Sequence, residues 1–594
     1  ASLEIVERAV ATGAASFRGW QQLDAEERAN ILDRAAHLYE QNYTQLMAAI
    51  VREAGKTLGN ALDDIREAVD FLRYYANEAR SRMAAPLALP GPTGERNLLH
   101  LVGRGPFACI SPWNFPIAIF TGQVAAALVS GNTVLAKPAE QTSLIAFRAV
   151  QLMQEAGVPA TALQLLPGAG DVGAALTSDA RVGGVAFTGS TETALKIRSA
   201  MAKHMPPGAP LIAETGGLNA MIVDSTALPE QAVQAVIESA FQSAGQRCSA
   251  LRCLYVQEDI APNLQKMLIG AMNTLTVGNP WDISTDVGPV IDEEAQSGIQ
   301  AYIDAARTEG RVLHQLDTPS EGTFAQPTLL RVGSIKEMER EIFGPVLHLA
   351  TFKSGELDQV IADINATGYG LTFGLQTRID DRVQHVTEAV HAGNIYVNRN
   401  QIGAIVGSQP FGGEGLSGTG PKAGGPNYLT RFTKRPAPAQ AAPWQEQMTD
   451  AELQKLVDQA SEAPAPSTIT LPGPTGESNR LTAMARPPVL CLGPTKALAA
   501  EQAAAIRSLG GVAVVANGAV APDALRSLRG ISGVVYWGDD ATARGYGVAL
   551  SERTGPILPL ITGQPDTGHA RHERHVCVDT TAAGGNAALL AASS

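Results

Sequence analysis

Short apolar runs with strand character alternate with helix-like stretches from about residue 98 to residue 400, and no other feature constrains the fold as strongly. This alternation predicts right-handed βαβ units, whose strands pair in parallel and whose helices cover the sheet. Ahead of it, residues 3–82 place apolar side chains at helical spacing, for example Ile31, Leu32 and Ala35, with charged residues between them. We expect amphipathic helices there, and the predicted class of the chain is α/β.

Length and composition limit the kinds of protein that fit. A chain of 594 residues should divide into about three or four domains. Hydrophobic residues make up 45% of the chain, but no apolar run approaches the roughly 18 residues that a membrane helix needs. The net charge of −13, with no basic stripe to offset it, argues against a nucleic-acid partner. We therefore expect neither a membrane nor a nucleic-acid partner.

The cysteines favour a reducing compartment, and a cytoplasmic location is expected. There are five of them, an odd number at irregular spacing, and none forms a CxxC pair. This pattern predicts neither a disulfide framework nor a metal site. The sequence starts at Ala1 without an initiator methionine or a signal-peptide pattern, which is typical of a fragment of a longer protein.

One nine-residue pattern occurs twice, at an offset of 382 residues. LPGPTGERN at 89–97 recurs as LPGPTGESN at 471–479. At the same offset, the residues that match are Arg104, Pro106 and Cys109 with Arg486, Pro488 and Cys491. If the register continues, Asn114 lies opposite Lys496, and the second copy has no equivalent of Cys248 or Glu214. We interpret the second copy as a catalytically inactive relic of a nucleotide-binding half, with a turn motif merely used twice as the alternative.

The last third of the chain predicts a separate, smaller α/β domain. Residues 435–470 are rich in Ala, Pro and Gln and are expected to be a linker, interrupted by one acidic helix. That helix should start at Thr449, with Glu452 three residues later as its capping partner. Beyond the linker, four apolar runs predict buried strands, at 489–492, 511–516, 531–537 and 556–561.

Three separated motifs supply the groups that aldehyde oxidation needs. Cys248 in SAGQRCSA (243–250) is the candidate nucleophile, Glu214 in ETGG (214–217) the base, and Asn114 in SPWNFP (111–116) the oxyanion donor. A thiolate attacks a carbonyl carbon, an amide holds the resulting oxyanion, and a carboxylate activates water against the thioester. Arg247 would favour the thiolate or an anionic substrate. Each group alone also fits a structural role, as a buried cysteine or a turn residue.

Two glycine turns compete as a phosphate-binding site. Residues 182–188 predict a strand, Gly189 a turn and Ser190 the cap of a helix, whose free N–H groups would meet a pyrophosphate. GAGDVG at 168–173 also follows a strand-like run and fits GxGxxG, although that pattern alone is weak. In KPAE (137–140), Glu140 would accept bonds from a ribose and repel a 2′-phosphate, which favours NAD over NADP.

Together and in this order, the motifs resemble the aldehyde dehydrogenase superfamily over residues 1 to about 434. The set is SPWNFP (111–116), KPAE (137–140), FTGS (187–190), ETGG (214–217), GQRC (245–248), EIFGP (341–345) and PFGG (410–413). Within the superfamily, residues 245–252, 399–407 and 412–425 resemble the L-glutamate-γ-semialdehyde dehydrogenase module of bifunctional proline utilization A proteins. Residues 575–586 resemble the C-terminal flap of that family, so the resemblance reaches the end of the chain.

The resemblance implies NAD-dependent oxidation of L-glutamate-γ-semialdehyde, the open form of pyrroline-5-carboxylate, to L-glutamate. Cys248 would form a thiohemiacetal and then a thioester, with Asn114 and the Cys248 N–H holding the oxyanion and Glu214 activating water. It places the cofactor at the Ser190 turn. The implied cofactor-binding residues are Lys137, Glu140, Ser190, Gly189, Trp113, Glu341 and Phe343. The implied substrate-binding residues are Ser249, Arg247, Gly403, Ala404 and Phe411.

The resemblance also implies the aldehyde dehydrogenase fold and a domain plan. The plan has a Rossmann-like NAD-binding domain (1–212) with a helical N-terminal arm and a β-hairpin oligomerisation flap (about 88–102), a catalytic domain (213–400), an anchor loop for substrate (401–434), the linker (435–470), a degenerate Rossmann-like domain (471–565) and a C-terminal flap (566–594). A homodimer formed through the hairpin is expected. Longer family members carry a flavin-dependent proline dehydrogenase domain ahead of this module, so such a domain of a longer parent chain is an expected partner. Proline oxidation itself is not predicted.

Several alternatives stay open at this point. The first is an aldehyde dehydrogenase for another small acidic semialdehyde, such as succinate semialdehyde. A CoA-acylating enzyme is disfavoured, since such relatives lack a base at the Glu214 position. A noncatalytic scaffold would form no NADH, and the complete set of Cys248, Glu214 and Asn114 argues against it. A further hypothesis is that the C-terminal domain, with the flap from about residue 565, covers the active site or an intermediate-carrying cavity.

Overall fold

A computed structural model describes residues 1–89, 91, 93–436, 444 and 446–581 of the chain. It opens with four helices, α1 (Leu3–Gln22), α2 (Ala25–Gln41), α3 (Tyr43–Ala54) and α4 (Leu58–Met83). Ser2 caps α1 and Thr57 caps α4, each by accepting a bond from a first-turn N–H. The apolar faces of α2 and α4 pack together, as the helical spacing over residues 3–82 predicted.

A short hairpin and a parallel sheet follow. The elements are β1 (Leu87–Leu89), β2 (Asn97–Leu99), β3 (Val102–Gly103), β4 (Pro106–Ile110), α5 (Ala118–Val129), β5 (Thr133–Lys137), α6 (Ser143–Glu155), β6 (Leu163–Leu165), α7 (Gly170–Thr177), β7 (Gly184–Gly189), α8 (Thr191–His204) and β8 (Leu211–Thr215). The sheet has the order β6-β5-β4-β7-β8, with every pair parallel. The predicted βαβ alternation is confirmed, and the sheet order reverses beside β4, where doubly wound sheets bind ligands.

The next segment builds most of a second, larger sheet. Its elements are β9 (Ala220–Val223), α9 (Pro229–Phe241), β10 (Cys253–Gln257), α10 (Ala261–Met272), α11 (Glu293–Thr308), β11 (Val312–Gln315), β12 (Thr328–Arg331), β13 (Val346–Phe352), α12 (Leu357–Ala366), β14 (Tyr369–Gly370), β15 (Thr372–Gln376), α13 (Asp380–Ala389) and β16 (Asn394–Val397). Two apolar cores lie on either side of this sheet, because its central strands are buried on both faces.

The remaining elements contribute to both the large sheet and a small one. They are β17 (Glu414–Gly415), β18 (Thr433–Lys434), α14 (Asp450–Asp458), β19 (Ser467–Leu471), β20 (Glu477–Ala485), β21 (Val489–Cys491), α15 (Lys496–Ser508), β22 (Ala513–Val515), α16 (Ala524–Ser527), β23 (Gly533–Val535), α17 (Asp540–Ser551), β24 (Leu560–Ile561), α18 (Thr567–Ala570) and β25 (Arg571–Asp579). The large sheet runs β11-β12-β13-β10-β9-β15-β16-β25-β20-β19, and the small parallel sheet runs β22-β21-β23-β24.

The two copies of the repeated sequence fold alike. Leu89 pairs with Asn97 in the first hairpin, and Leu471 pairs with Asn479 in the second, which is the same register. The first strand of each parallel sheet lies inside its sheet, β4 between β5 and β7 and β21 between β22 and β23. The hairpins differ in their surroundings, because β1 and β2 pair only with each other, whereas β20 joins the large sheet through β25.

The predicted domain boundaries and the predicted helix of the linker can be located on the observed strands and helices. Residue 213 lies inside β8 and residue 471 ends β19, so both proposed boundaries fall within strands. Thr449 caps α14 and Glu452 completes the capping box, as the sequence predicted. Parts of the predicted linker (437–443 and 445) and of the predicted flap (582–594) lie outside the described residues. Within the described ranges, no helix is long and apolar enough to cross a bilayer, and no cluster of His, Cys, Asp and Glu has the make-up of a metal site.

Candidate active site

The loop that carries Cys248 (residues 242–249, the cysteine loop) leaves α9 through a left-handed turn. Ser243, Ala244 and Gly245 have φ values of 53°, 52° and 66°. A non-glycine residue in this region costs on the order of 1 kcal/mol and persists only where the surroundings impose it. A Cβ atom at position 245 would collide with the carbonyl oxygen of Gly344. The turn therefore requires glycine at 245, and it presents the cysteine to the crevice between the two sheets.

Two buried side chains hold the backbone of the cysteine loop. Arg252 donates to the carbonyls of Gly245 at 2.7 Å and Arg247 at 3.1 Å, and it is fully buried. Asn219 donates to the carbonyl of Cys248 at 2.6 Å. Because the loop carbonyls are satisfied from within the protein, the position of the thiol does not depend on a bound ligand.

Asn114 lies directly against the cysteine loop. Its Nδ2 donates to the carbonyl of Gln246 at 3.2 Å, which leaves the second amide proton for another acceptor. Its own carbonyl accepts from Nζ of Lys56 at 2.8 Å, and Lys56 pairs with Asp64 at 3.2 Å. Since Asp64 also accepts from the N–H of Ala118 at the start of α5, the segment carrying Asn114 is anchored on both sides.

Glu214 lies at the carboxyl end of β8, in a pocket formed by glycines. Its Oε2 accepts from the N–H of Gly413 at 3.0 Å, and Oε1 has no hydrogen-bond partner among the described residues. Gly412 and Gly418 leave the space that the carboxylate fills, because a Cβ on either would come within 2.9 Å of its oxygens. Burial raises the pKa of Glu214 to about 8, although the Gly413 N–H and the Lys422 ammonium oppose the shift. The group is thus a base of near-neutral strength.

The surroundings of Cys248 favour the protonated form of its thiol. Burial raises its pKa to about 12, and the carboxylates of Glu341, Glu214 and Glu67 contribute in the same direction. The Arg247 guanidinium lowers the pKa, as the sequence predicted, but burial outweighs it. Arg247 is itself buried and bonds Oδ1 of Asn60 at 2.9 Å and the carbonyl of Ile402 at 3.4 Å.

The predicted phosphate-binding turn lies at the carboxyl end of β7. Ser190 caps α8 by accepting from the N–H of Thr193 at 3.2 Å, and the other first-turn N–H groups of α8 face the carboxyl edge of the sheet. Gly189 precedes it, where a Cβ would come within 2.6 Å of the Phe187 ring. Ser111, just after β4, has a buried hydroxyl without a hydrogen-bond partner among the described residues. These donors and the missing side chain are what a pyrophosphate at this edge requires.

Lys137 and Glu140 stand at the end of β5, next to this helix terminus. Lys137 is 6% exposed, and its Nζ lies 3.3 Å from the carbonyl of Pro138 and 4.0 Å from a carboxylate oxygen of Glu140. One ammonium and one carboxylate in this position suit the hydroxyl groups of a ribose. The rival GAGDVG segment starts α7, and its Gly173 lies against the Lys137 side chain.

Glu341, Phe343 and Trp113 form the inner end of the crevice. Arg252 pairs with Glu341 at 2.9 Å and lies over the Phe343 ring at 5.2 Å. Trp113 meets the Phe343 ring edge-on, with centroids 5.6 Å apart. The charged end of Glu341 fills the space above Gly216, where any side chain would collide with it. The same arginine therefore contacts both the cysteine loop and the predicted cofactor-binding residues Glu341 and Phe343.

The predicted substrate-binding residues belong to segments that contact the cysteine loop or Glu214. Ser249 is 3% exposed, and its carbonyl accepts from Oγ1 of Thr372 at 3.0 Å. Residues 401–404 reach the cysteine loop through Gln401, which donates to the Ser249 carbonyl at 3.4 Å, and this segment contains Gly403 and Ala404. Phe411 lies two residues before Gly413, whose N–H donates to Glu214. Its backbone forms two hydrogen bonds of 2.9 Å with that of Ala423. The residue roles predicted for this region stay predictions, but their segments do meet.

Sequence reasoning missed five side chains of this site. Glu67, Lys56, Arg252, Asn219 and Lys422 were assigned no role, although Arg252 and Lys422 lie within the segments 245–252 and 412–425 that carry the resemblance. Glu67 on α4 resembles a solvated helix charge, yet burial raises its pKa to about 8. Only Arg252 and Lys422 gave a signal, since each is a lone cation in a largely apolar or glycine-rich run.

Comparisons with known proteins show which family this chain resembles. The aldehyde dehydrogenase family pattern matches residues 1–436. The bifunctional protein PutA of Salmonella typhimurium is 44% identical over 98% of the chain and 48% of its own length, and the 1-pyrroline-5-carboxylate dehydrogenase of Geobacillus thermodenitrificans is 39% identical over 72% and 84%. A crystal structure of bifunctional proline utilization A has a TM-score of 0.72 at 52% identity, covering 73% of this chain and 44% of that one. The NAD-bound 1-pyrroline-5-carboxylate dehydrogenase from Thermus has a TM-score of 0.69 at 36% identity, covering 73% and 85%. The chain spans about half the length of the bifunctional relatives it matches.

Proposed function

The chain belongs to the aldehyde dehydrogenase family, and on that premise we propose that it oxidises L-glutamate-γ-semialdehyde to L-glutamate with NAD. The observation that carries the proposal is the convergence of Cys248, Asn114 and Glu214, from three separate motifs, around one half-buried thiol. The semialdehyde is the open form of pyrroline-5-carboxylate, the compound in the names of the Geobacillus and Thermus relatives. The reaction would be the second oxidation in the breakdown of proline.

Each group in the site has one task. The thiolate form of Cys248 attacks the aldehyde carbon, while Nδ2 of Asn114 and the Cys248 N–H donate to the oxyanion. Bound NAD supplies the hydride acceptor. The oxidised adduct is a thioester on Cys248, and Glu214 takes a proton from the water that splits it. Because Oε1 of Glu214 has no partner among the described residues, it is free to accept that proton.

The crevice residues bind NAD in this proposal. The N-terminus of α8 at Gly189 and Ser190 holds the pyrophosphate, and Lys137 and Glu140 hold a ribose. Glu341 accepts bonds from the second ribose, and Trp113 and Phe343 pack against the nicotinamide end. Since the Glu140 carboxylate would repel a 2′-phosphate, NAD is preferred over NADP.

Glutamate semialdehyde and succinate semialdehyde differ in the charged groups at the end remote from the aldehyde. The Ser249 hydroxyl and the backbone of Gly403 and Ala404 bind the carboxylate, with Phe411 against the aliphatic stem. Glutamate semialdehyde also carries an ammonium group, which succinate semialdehyde lacks. Glu67 is a half-buried carboxyl whose charge is felt at Cys248, and we propose that its ionised form binds this ammonium. It favours the glutamate-derived aldehyde.

The experiment that tests the proposal is steady-state NADH formation with both aldehydes. We expect Glu67→Gln to raise the KM for glutamate semialdehyde and to leave that for succinate semialdehyde unchanged. Ser249→Ala should raise the KM for glutamate semialdehyde more than that for succinate semialdehyde. Glu78→Gln, on the same helix as Glu67 but paired with Arg82, is the matched control. Equal turnover of both aldehydes, or equal effects of Glu67→Gln on both, would refute the substrate assignment.

We also propose partners for the segment. The bifunctional relatives are about twice as long, and we propose that a proline dehydrogenase domain of a longer parent chain supplies the substrate in the cytoplasm.

A homodimer through the β1–β2 hairpin is favoured by Leu98 and Leu99, each 38% exposed on it. Light scattering on the wild type and on Leu98→Ser/Leu99→Ser tests the dimer; a wild-type monomer, or a dimer that survives the change, would contradict it.

We propose that the C-terminal segment covers the anchor loop for substrate. Glu477 on β20 pairs with Arg399 and accepts from Gln409 at 2.8 Å, and both partners belong to the segment around Gly403. Cys577 on β25 accepts from Arg399 at 3.2 Å. Deleting residues 471–594 should therefore lower both solubility and turnover, and unchanged values would contradict this role.

A further inference from the structure

A cavity of about 410 Å³ lies between the nucleotide-binding half and the C-terminal domain. One wall is α8 with the loop 206–211, the second is the segment around 431–436, and the third is α17 with residues 557–566. Cys248, Glu214 and Asn114 do not line it. Its size falls within the range of small-ligand sites, so it can hold a molecule of metabolite size.

The lining of this interdomain cavity is strongly basic in an acidic protein. Its cations are Arg104, Arg198, Arg431, Lys434, Arg435 and Arg544, and the one carboxylate among its lining residues is Asp566. The chain as a whole carries a net charge of −13. The cavity lining is therefore positively charged although the chain as a whole is negatively charged. Low-dielectric walls strengthen the positive electrostatic potential inside such a cavity.

The charges within the cavity are incompletely compensated. Asp566 is shared, because it lies 3.6 Å from Arg431 and also accepts from His569. Nε and Nη1 of Arg198, and Nε of Arg435, are buried without a hydrogen-bond partner among the described residues. Burial lowers the pKa of Arg104 to about 10 and lowers that of Arg198.

The remaining contacts of these arginines bind the two domains together through neutral acceptors. Arg198 donates to the carbonyl of Arg553 at 2.9 Å, and Arg544 donates to the carbonyl of Lys203 at 2.8 Å. Arg435 donates to the carbonyl of Pro565 at 3.2 Å. Carbonyls satisfy N–H donors but do not neutralise a buried positive charge, which is costly without an anion.

We propose that this interdomain cavity binds a small multivalent anion bearing phosphate or carboxylate groups, and that the anion joins the C-terminal domain to the nucleotide-binding half. Guanidinium groups bind both anions in bidentate fashion, which suits a site built from five arginines and one lysine. Binding in the cavity is separate from binding of NAD, since Lys137 and Ser190 do not line it.

The test is calorimetric titration of the whole chain with pyrophosphate in one arm and citrate in the other, at constant ionic strength and with saturating NAD. NAD occupies the pyrophosphate site at Ser190, so binding that persists reports the cavity. We expect one site per chain, and the tighter arm identifies the anion class. The double variant Arg198→Gln/Arg435→Gln should bind the anion about tenfold more weakly or worse. Each lost charge-assisted hydrogen bond should by itself lower the affinity about tenfold. Arg526→Gln, an arginine of α16 outside the cavity paired with Asp523 and Glu552, is the matched control.

A second measurement needs no variant. Phenylglyoxal modification of the wild-type chain, followed by mass spectrometry, should slow at Arg435 when the tighter anion is present and stay unchanged at Arg526. Absence of binding under saturating NAD, equal binding by the double variant, or equal protection of the two arginines would overturn the proposal.

Discussion

Glu214 should titrate far above the normal range of a carboxyl group, and this predicts how thioester hydrolysis depends on pH. Burial raises its pKa from 4.5 to about 8, with the Gly413 N–H and the Lys422 ammonium opposing the shift. A carboxyl group acts as a base only when it is deprotonated. Hydrolysis should therefore increase as the pH rises through 8 and be lost as the pH falls below it.

The size of the effect follows from the titration curve. With a pKa of about 8, about one tenth of Glu214 is ionised at pH 7 and about nine tenths at pH 9. Where hydrolysis limits turnover, the steady-state rate should rise about tenfold over this interval, whereas a glutamate with an unperturbed pKa of about 4.3 would give a flat profile. Removing the opposing charge with Lys422→Gln should move the midpoint to higher pH.

Stopped-flow measurement of NADH separates the two steps. A burst reports formation of the thioester, and the linear phase reports its hydrolysis. Glu214→Gln should keep a burst of about one NADH per site and slow the linear phase about 100-fold or more. A flat hydrolysis profile from pH 6 to 9, or a variant whose linear phase keeps the wild-type rate, would refute the assignment of Glu214 as the base.

Three further predictions concern other parts of the chain. Gly245→Ala should lower kcat/KM about 100-fold in a folded protein, since a Cβ would collide with Gly344 and displace the thiol; near-normal kinetics with unchanged circular dichroism would contradict this. Arg247→Met should slow alkylation of Cys248 by iodoacetamide at pH 8, because the guanidinium lowers the thiol pKa, and an equal or faster rate would show that it does not. Thr449→Ala should destabilise α14 by about 1 kcal/mol, so amide exchange over residues 450–458 should quicken about fivefold, while α17 serves as the internal control.

Local signals explain what the sequence predicted well. The βαβ alternation and the caps at Ser190 and Thr449 depend on neighbouring residues, and all three are present in the structure. The repeated LPGPTGE turn folds the same way twice because its glycines are required locally: a Cβ at Gly91 would come within 2.6 Å of the Glu95 carbonyl oxygen, and one at Gly473 would come within 2.5 Å of the Asn479 amide.

Nonlocal contacts explain what the sequence did not predict. The pairing of β25 with β16 and β20 joins strands that are distant in the chain, and no periodicity indicates such a partner. The contacts inside the site could not be predicted from the local sequence either. The bonds from Arg252 to Gly245 and Glu341 depend on tertiary packing. The pKa of Cys248 is the clearest case: the adjacent Arg247 predicted a lowered value, but burial, which the local sequence does not report, raises it.

The central claim is that one half-buried thiol, assisted by Asn114 and Glu214, is the nucleophile in the NAD-dependent oxidation of a semialdehyde that carries a carboxylate and an ammonium group. The most direct test is NAD-dependent NADH formation from glutamate semialdehyde by the wild type and by Cys248→Ser. The account predicts steady turnover with bound glutamyl thioester detectable by mass spectrometry after acid quench, and neither signal in the variant. Turnover that survives loss of the thiol, or a wild type that reduces no NAD with this aldehyde, would contradict it.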